Sequence, residues 1–96
     1  MSRTCDAIGC KAATAPGKFM CLKHWRLVPL FTQRIINERF RAGKKGMTFL
    51  RDLDYLEACS SAIDIVAGQE GWRDYSESVY GRLARLQRER IKQAAV

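Results

Sequence analysis

The sequence contains few of the features on which enzyme active sites depend. It has a single histidine, no glycine-rich phosphate loop, and no serine in a nucleophile-elbow context. Proline is also scarce, with two residues. No apolar run approaches the length of a membrane span, and the first residues form no apolar segment of a secretion signal. These absences argue against a nucleotide hydrolase, a serine hydrolase and a membrane protein, and we expect a protein that is not an enzyme.

Basic residues clearly outnumber acidic ones. Seventeen Lys and Arg against ten Asp and Glu give a formal net charge of +7, and the excess lies in residues 1–26 and 72–96. Such an excess attracts polyanions, nucleic acid first and anionic membranes second, without indicating sequence specificity. A surface that serves only solubility would explain the same count.

Three of the four cysteines and the only histidine lie within twenty residues. They form a C-x4-C pair and a C-x2-H pair, which consist of Cys5, Cys10, Cys21 and His24. Zinc prefers four such ligands in a tetrahedron, and short-range pairs let one loop and one helical turn each supply two. The pattern therefore predicts one structural Zn²⁺ per chain, with no open coordination position for catalysis.

Disulfide bonds are the alternative to a metal site, because the number of cysteines is even. Four cysteines could form two bridges, for instance Cys5 with Cys10 and Cys21 with Cys59. Nothing else in the sequence indicates an oxidising compartment, and the lysine-rich composition favours a metal. Because Cys59 lies on a predicted amphipathic helix, we expect it to be a buried, unreactive thiol.

Glycine and proline indicate how the chain turns around the predicted ligands. Gly9 would allow a tight turn in the first cysteine pair, and Pro16-Gly17 would fold residues 11–15 back against 18–20 as a short β-hairpin. If Cys21 lies in the first turn of a helix, His24 lies on the same face. We therefore expect a treble-clef-like zinc module of knuckle, hairpin and helix.

A wider pattern surrounds the second ligand pair, in the segment Met20-Cys21-x-x-His24-Trp25-x-x-Val28-Pro29. It follows a cysteine-rich N-terminus and precedes an arginine-rich segment and a helix with Tyr55, Ala62-Ile63 and Val66. Over residues 5–67 these features resemble small zinc-binding proteins encoded by bacteriophages and prophages. The resemblance implies a phage origin and a zinc module, and it implies no particular reaction.

Three later stretches have helical periodicity. The first predicted helix runs from Val28 to Ala42, with Pro29 in its first turn and Gly43 as its terminator. The second runs from a cap at Thr48 to Ala67, with Gly68 as its stop. The third runs from Trp72 to Gln93. We expect a mostly α fold and a single domain, 1–96. It comprises a zinc-binding lobe, residues 1–26, and a three-helix body, residues 27–96.

The apolar residues of these helices predict how they pack. The first helix has two apolar sectors, Phe31 with Ile35 and Ile36 with Phe40, which predicts packing on two sides, with Trp25 at the junction to the lobe. The last helix has one stripe, which consists of Trp72, Tyr75, Val79, Leu83 and Leu86. Its basic residues lie in a different sector.

For function we expect contacts with nucleic acid or a nucleoprotein complex through two basic groups. These are Lys11, Lys18, Lys23 and Arg26 in the lobe, and Arg82, Arg85, Arg88 and Lys92 on the last helix. An alternative from another class is a phage-encoded inhibitor that docks on a host protein complex such as a defence system. A third is a homodimer formed through the last helix. We expect no membrane partner and a cytoplasmic location in the bacterial host.

Overall fold

The computed structural model describes residues 3–14 and 18–94, which form mainly helices. Two short strands come first, β1 (Arg3–Thr4) and β2 (Ala13–Thr14), and then a one-turn helix, α1 (Leu22–Trp25). Helix α2 (Leu30–Ala42), a 3-10 segment (Lys45–Arg51), helix α3 (Leu53–Gln69) and helix α4 (Val79–Ala94) follow. The prediction of a mostly helical chain with a cysteine-rich N-terminal cluster is confirmed.

Helix α3 is the centre of the body. It packs against both α2 and α4, and it supplies the largest fully buried side chains among the described residues, which are Leu56, Cys59, Ile63 and Val66. Full burial of an aliphatic side chain of this size contributes about 1.5–3 kcal/mol. The core therefore depends mainly on α3, and the prediction that Cys59 is a buried thiol is confirmed.

Helix α2 buries one of its two apolar sectors more fully than the other. Ile36 is 3% exposed, and the ring of Phe40 lies 4.8 Å from that of Phe49, centroid to centroid. Leu30 and Phe31, in contrast, are 69% and 76% exposed. The predicted packing on two sides holds only in part, because Ile35 packs against the core while Phe31, in the same sector, is exposed.

The ends of α2 lie close to the predicted positions. Pro29 is the N-cap residue rather than a residue of the first turn, and Gly43 is the C-cap residue. Gly43 has a negative φ of −102°, so a left-handed backbone does not explain why glycine is present. A Cβ at this position would lie 2.4 Å from the backbone nitrogen of Phe49. Only glycine lets the chain pass so close to the end of the helix.

Helix α3 begins later than predicted, and Asp52 rather than Thr48 is its cap. The Asp52 carboxylate accepts hydrogen bonds from the backbone N–H groups of Asp54, at 3.0 Å, and Tyr55, at 3.3 Å. These bonds satisfy donors that have no partner within the helix. Met47, just before Thr48, has a left-handed φ of 55°, so the chain turns here instead of starting the helix.

Helix α3 ends in a Schellman motif. Gly71 has a left-handed φ of 85°. Its N–H group bonds to the carbonyl oxygen of Gly68 at 3.2 Å, and that of Trp72 bonds to Ala67 at 2.9 Å. The predicted stop at Gly68 is therefore wrong, because Gly68 lies inside the last turn and Gly71 terminates the helix.

Helix α4 begins at Val79 and not, as predicted, near Trp72. Residues 72–78 follow the Schellman motif as irregular backbone. The hydroxyl oxygen of Ser78 accepts a hydrogen bond from the N–H group of Gly81 at 3.1 Å, as an N-cap side chain does. Because the chain changes direction at Gly71, the helix begins only at Val79, where Ser78 caps it.

The buried face of α4 also differs from the predicted stripe. Tyr80, Gly81 and Ala84 are buried, whereas Val79 is 62% exposed. A Cβ on Gly81 would lie 3.0 Å from the hydroxyl oxygen of Ser60 on α3. The two helices therefore approach closely along small residues, and of the predicted stripe on α4 only Leu83 packs against the core while Val79 and Leu86 are exposed.

The Asp52 cap gives a stability prediction. Asp52→Ala should lower the free energy of unfolding by about 1 kcal/mol, because two N–H groups lose their acceptor. Asp52→Asn, which keeps an oxygen acceptor, should cost much less, and Thr48→Ala should change stability by no more than about 0.5 kcal/mol. Chemical denaturation monitored by circular dichroism measures all three. A larger loss for Thr48→Ala than for Asp52→Ala would contradict the assignment of the cap.

Candidate metal centre

The four predicted ligands lie together. One ligand atom from each of Cys5, Cys10, Cys21 and His24 falls within 4.8 Å of the others. In a tetrahedral site with metal–sulfur distances of about 2.3 Å, two sulfur ligands are separated by roughly 3.8 Å, so four atoms that all lie within 4.8 Å of one another are close enough to share one ion. Cys5 and His24 are buried, and the other two are partly buried. The cluster is compatible with one metal site.

The first ligand pair lies in the loop that joins the two strands. Strands β1 and β2 are antiparallel, with Thr4 opposite Ala13, and the N–H group of Cys5 bonds to Ala12 at 2.8 Å. Within the loop, the N–H group of Cys10 bonds back to Ala7 at 3.1 Å. Together these bonds close the loop and bring the two cysteine side chains to the same side.

The strand pairing corrects the predicted hairpin. Residues 11–15 were expected to pair with 18–20, but β2 pairs with β1, ahead of the first cysteine. The backbone of Phe19 instead accepts a hydrogen bond from Asp6 at 3.3 Å. The turn predicted at Pro16-Gly17 lies outside the described residues.

The second ligand pair sits at the start of helix α1. Cys21 is the N-cap residue, with extended backbone angles, and not, as predicted, a member of the first turn. Its sulfur lies 3.2 Å from Nδ1 of His24, and the sulfur of Cys5 lies 3.6 Å from the same nitrogen. Nδ1 therefore faces the thiols, which leaves Nε2 for a partner elsewhere.

That partner is Glu70, which the sequence analysis missed. Both of its carboxylate oxygens lie 3.0 Å from Nε2 of His24. Histidines that bind metal commonly donate their other N–H group to a carboxylate, which fixes the ring and its tautomer. Glu70 follows α3 and is separated from His24 by more than forty residues, so no local spacing could have indicated it.

Local contacts shift the pKa values of three ligands. A hydrogen bond from the backbone of His24 lowers the pKa of Cys21 to about 7 despite its partial burial, whereas burial raises the pKa of Cys5 to about 11. Burial lowers the pKa of His24, but hydrogen bonds to Glu70 and Cys21 outweigh it, so that this pKa is raised. Metal ions bind cysteine as thiolate, so a divalent ion would favour ionisation at every cysteine of the cluster.

The knuckle that carries the first ligands is packed against residues from the end of α3 and the start of α4. Gly9 has a φ of 75°, and a Cβ there would lie 2.6 Å from the indole ring of Trp72. The hydroxyl of Tyr80 donates to the carboxylate of Asp6 at 3.3 Å. Gly9 is therefore required both by the turn and by the ring that covers it, and the candidate metal centre is linked to the helical body at several points.

The eight predicted contact residues fall into two different environments. Four of them lie in the lobe and are here called the lobe cations: Lys11, Lys18, Lys23 and Arg26. All four are exposed, and none forms an ion pair within the described part of the chain. On α4, Arg85 pairs with Glu77 and Arg88 with Glu57, each at 3.0 Å. Arg82 and Lys92 are exposed on the same helix. Their role as contact residues stays a prediction.

The contact between Glu70 and His24 gives a test that needs no knowledge of function. Glu70→Ala should weaken zinc binding roughly 10- to 100-fold, because the imidazole loses the group that orients it. Glu70→Gln, which keeps an acceptor oxygen, should have a smaller effect, and Glu38→Ala, at an exposed position of α2, should have none. Competition with a chromophoric chelator measures these affinities. Unchanged zinc affinity in Glu70→Ala would show that the contact plays no part in metal binding.

Comparisons with protein families, with curated proteins and with solved structures found no match for this chain. Among the described residues, no helix is both long enough and apolar enough to cross a membrane.

Proposed function

We propose that the cluster of three cysteines and one histidine holds a single structural zinc ion. Its donor set supports this proposal, because three thiolates and one imidazole are ligands typical of structural zinc. Four protein ligands fill the tetrahedron and leave no position for a reacting water, so the ion would stabilise the fold and take no part in catalysis. Knuckle, strand pair and helix α1 then form a treble-clef-like lobe.

We further propose that this lobe binds nucleic acid, either free or within a nucleoprotein complex. The observation that carries the proposal is that the lobe cations are exposed and unpaired within the described residues. Asp6, the only acidic residue among residues 1–26, accepts the hydroxyl of Tyr80. Glu70, a carboxylate from the body that reaches the lobe, faces His24. Positive charge at the lobe is thus available to a phosphate backbone.

The arginines of α4 contribute less in this proposal. Arg85 and Arg88 are about half exposed and already have carboxylate partners. Such surface pairs are worth about 0–1 kcal/mol, so a phosphate could replace the carboxylate, but the exchange would add little to binding. Among the described residues, Arg82 and Lys92 have no ion pair on α4, against all four lobe cations, and on this ground we centre the contact surface on the lobe.

A salt series tests the proposal. Lys11→Gln and Lys23→Gln should each weaken binding to every DNA or RNA sequence alike and lower the salt slope by about one, because each lost phosphate contact releases one fewer counterion. Lys45→Gln, an identical change outside the lobe, should leave the slope unchanged. Fluorescence anisotropy with labelled oligonucleotides measures both quantities. Wild-type affinity and slope in the lobe variants would rule the lobe out as the contact surface.

In a second candidate function, this protein is a phage-encoded inhibitor that docks on a host protein complex. The observation that favours it is the neighbouring pair Leu30 and Phe31, both highly exposed on α2, since exposed apolar surface often marks a protein interface. Capture of one host protein after nuclease treatment, lost in Phe31→Ser and retained in Lys11→Gln, would favour this function. Capture that depends on nucleic acid and on Lys11 would favour the first.

A further inference from the structure

A cavity of about 370 Å³ lies where the lobe meets helices α2 and α3. Its lining includes the buried residues Ile36 and Tyr55 and the partly buried aromatic residues Trp25 and Phe40. Two exposed polar residues, Lys18 and Asn37, complete this part of the lining. Small-ligand sites commonly measure about 300–1,000 Å³ and combine apolar walls with a few polar groups. The cavity has both the size and the composition of a ligand site.

Three chemical features of the lining restrict the ligand. The aromatic rings of Trp25 and Phe40 suit a flat ring, which can stack on them or meet their edges. The carboxamide of Asn37 can donate and accept hydrogen bonds at the edge of such a ring. The ammonium group of Lys18 suits an anion beside it. A lipid chain would make no use of the amide, and inorganic phosphate would make no use of the rings, whereas a nucleotide matches all three.

We propose that this cavity binds an unpaired nucleobase of single-stranded DNA or RNA. Trp25 and Phe40 contact the face of the base, Asn37 contacts its hydrogen-bonding edge, and Lys18 contacts the adjoining phosphate. The base must be unpaired, because the neighbouring bases of a duplex cover both of its faces. The inference rests on the proposed nucleic-acid binding and adds to it a preference for single strands with bases.

The experiment compares a short thymidine oligonucleotide with an abasic oligomer that has the same number of phosphates. Stacking of one base adds roughly 5- to 100-fold in affinity, so the wild-type protein should bind the base-containing strand more tightly by about that factor. Since both strands carry the same charge, the lobe cations contribute equally to each. The ratio of the two affinities therefore isolates the contribution of the bases.

Two variants assign this ratio to the cavity. Asn37→Ala removes an exposed side chain, so the fold should persist while the preference for the base-containing strand falls. Gln93→Ala, the loss of an exposed amide near the end of α4, should keep the wild-type ratio. As a second readout, thymidine monophosphate should shift the amide resonances of Ile36 and Asn37 more than deoxyribose phosphate does.

Equal affinity for the two strands, with no shift at Ile36 or Asn37, would overturn the cavity assignment while leaving electrostatic binding by the lobe intact. Failure of both strands to bind would overturn the proposed function together with the inference. Stronger shifts at these residues with N-acetyltryptophanamide than with thymidine monophosphate would assign the cavity to a protein side chain instead.

Discussion

The convergence of three thiols and one imidazole is the interaction on which the N-terminal part of the chain depends. Its described residues form only a two-residue strand pair and a single helical turn, and neither would persist alone, since isolated strand pairs and helices of this length are unstable in water. Through Nε2 of His24 the same cluster reaches Glu70 at the end of α3. A metal ion at Nδ1 and a carboxylate at Nε2 would hold the imidazole from both sides, so that metal binding and docking of the lobe support each other.

The lobe and the helical body share one hydrophobic core. Phe19 and Met20 belong to the same buried cluster as the central residues of α3, and the ring of Phe19 packs edge-on against Tyr80 at 5.2 Å. Charge is distributed differently. Carboxylates of α3 are matched by arginines of the neighbouring helices, for instance Asp54 by Arg39, and the lobe has no comparable set of acids. The exposed cations of the lobe therefore have fewer carboxylates near them in sequence than those of the helical body.

The sequence was sufficient for features that depend on near neighbours and insufficient for those that depend on packing. The ligand spacing predicted the cluster because each pair lies within one turn or loop. The start and the buried face of α4 were wrong, because they follow from the turn at Gly71 and from the close approach of Gly81 to Ser60. The exposure of Phe31 was missed because periodicity gives the apolar sectors of a helix but not which of their residues pack against another element. Glu70 could not be found, since its partner is remote in sequence.

Zinc content per chain, measured together with the amide spectrum, tests whether these four residues hold the metal and the metal holds the lobe. We expect one zinc in the wild-type protein and in Cys59→Ala, where the change lies in the core of α3. We expect loss of zinc in Cys21→Ser, with collapse of amide dispersion in the lobe and retention of the signals of Leu56 and Ile63, because the helical body keeps its own buried apolar face. Full zinc occupancy and an unchanged lobe spectrum in Cys21→Ser, with loss of zinc in Cys59→Ala, would contradict the assignment.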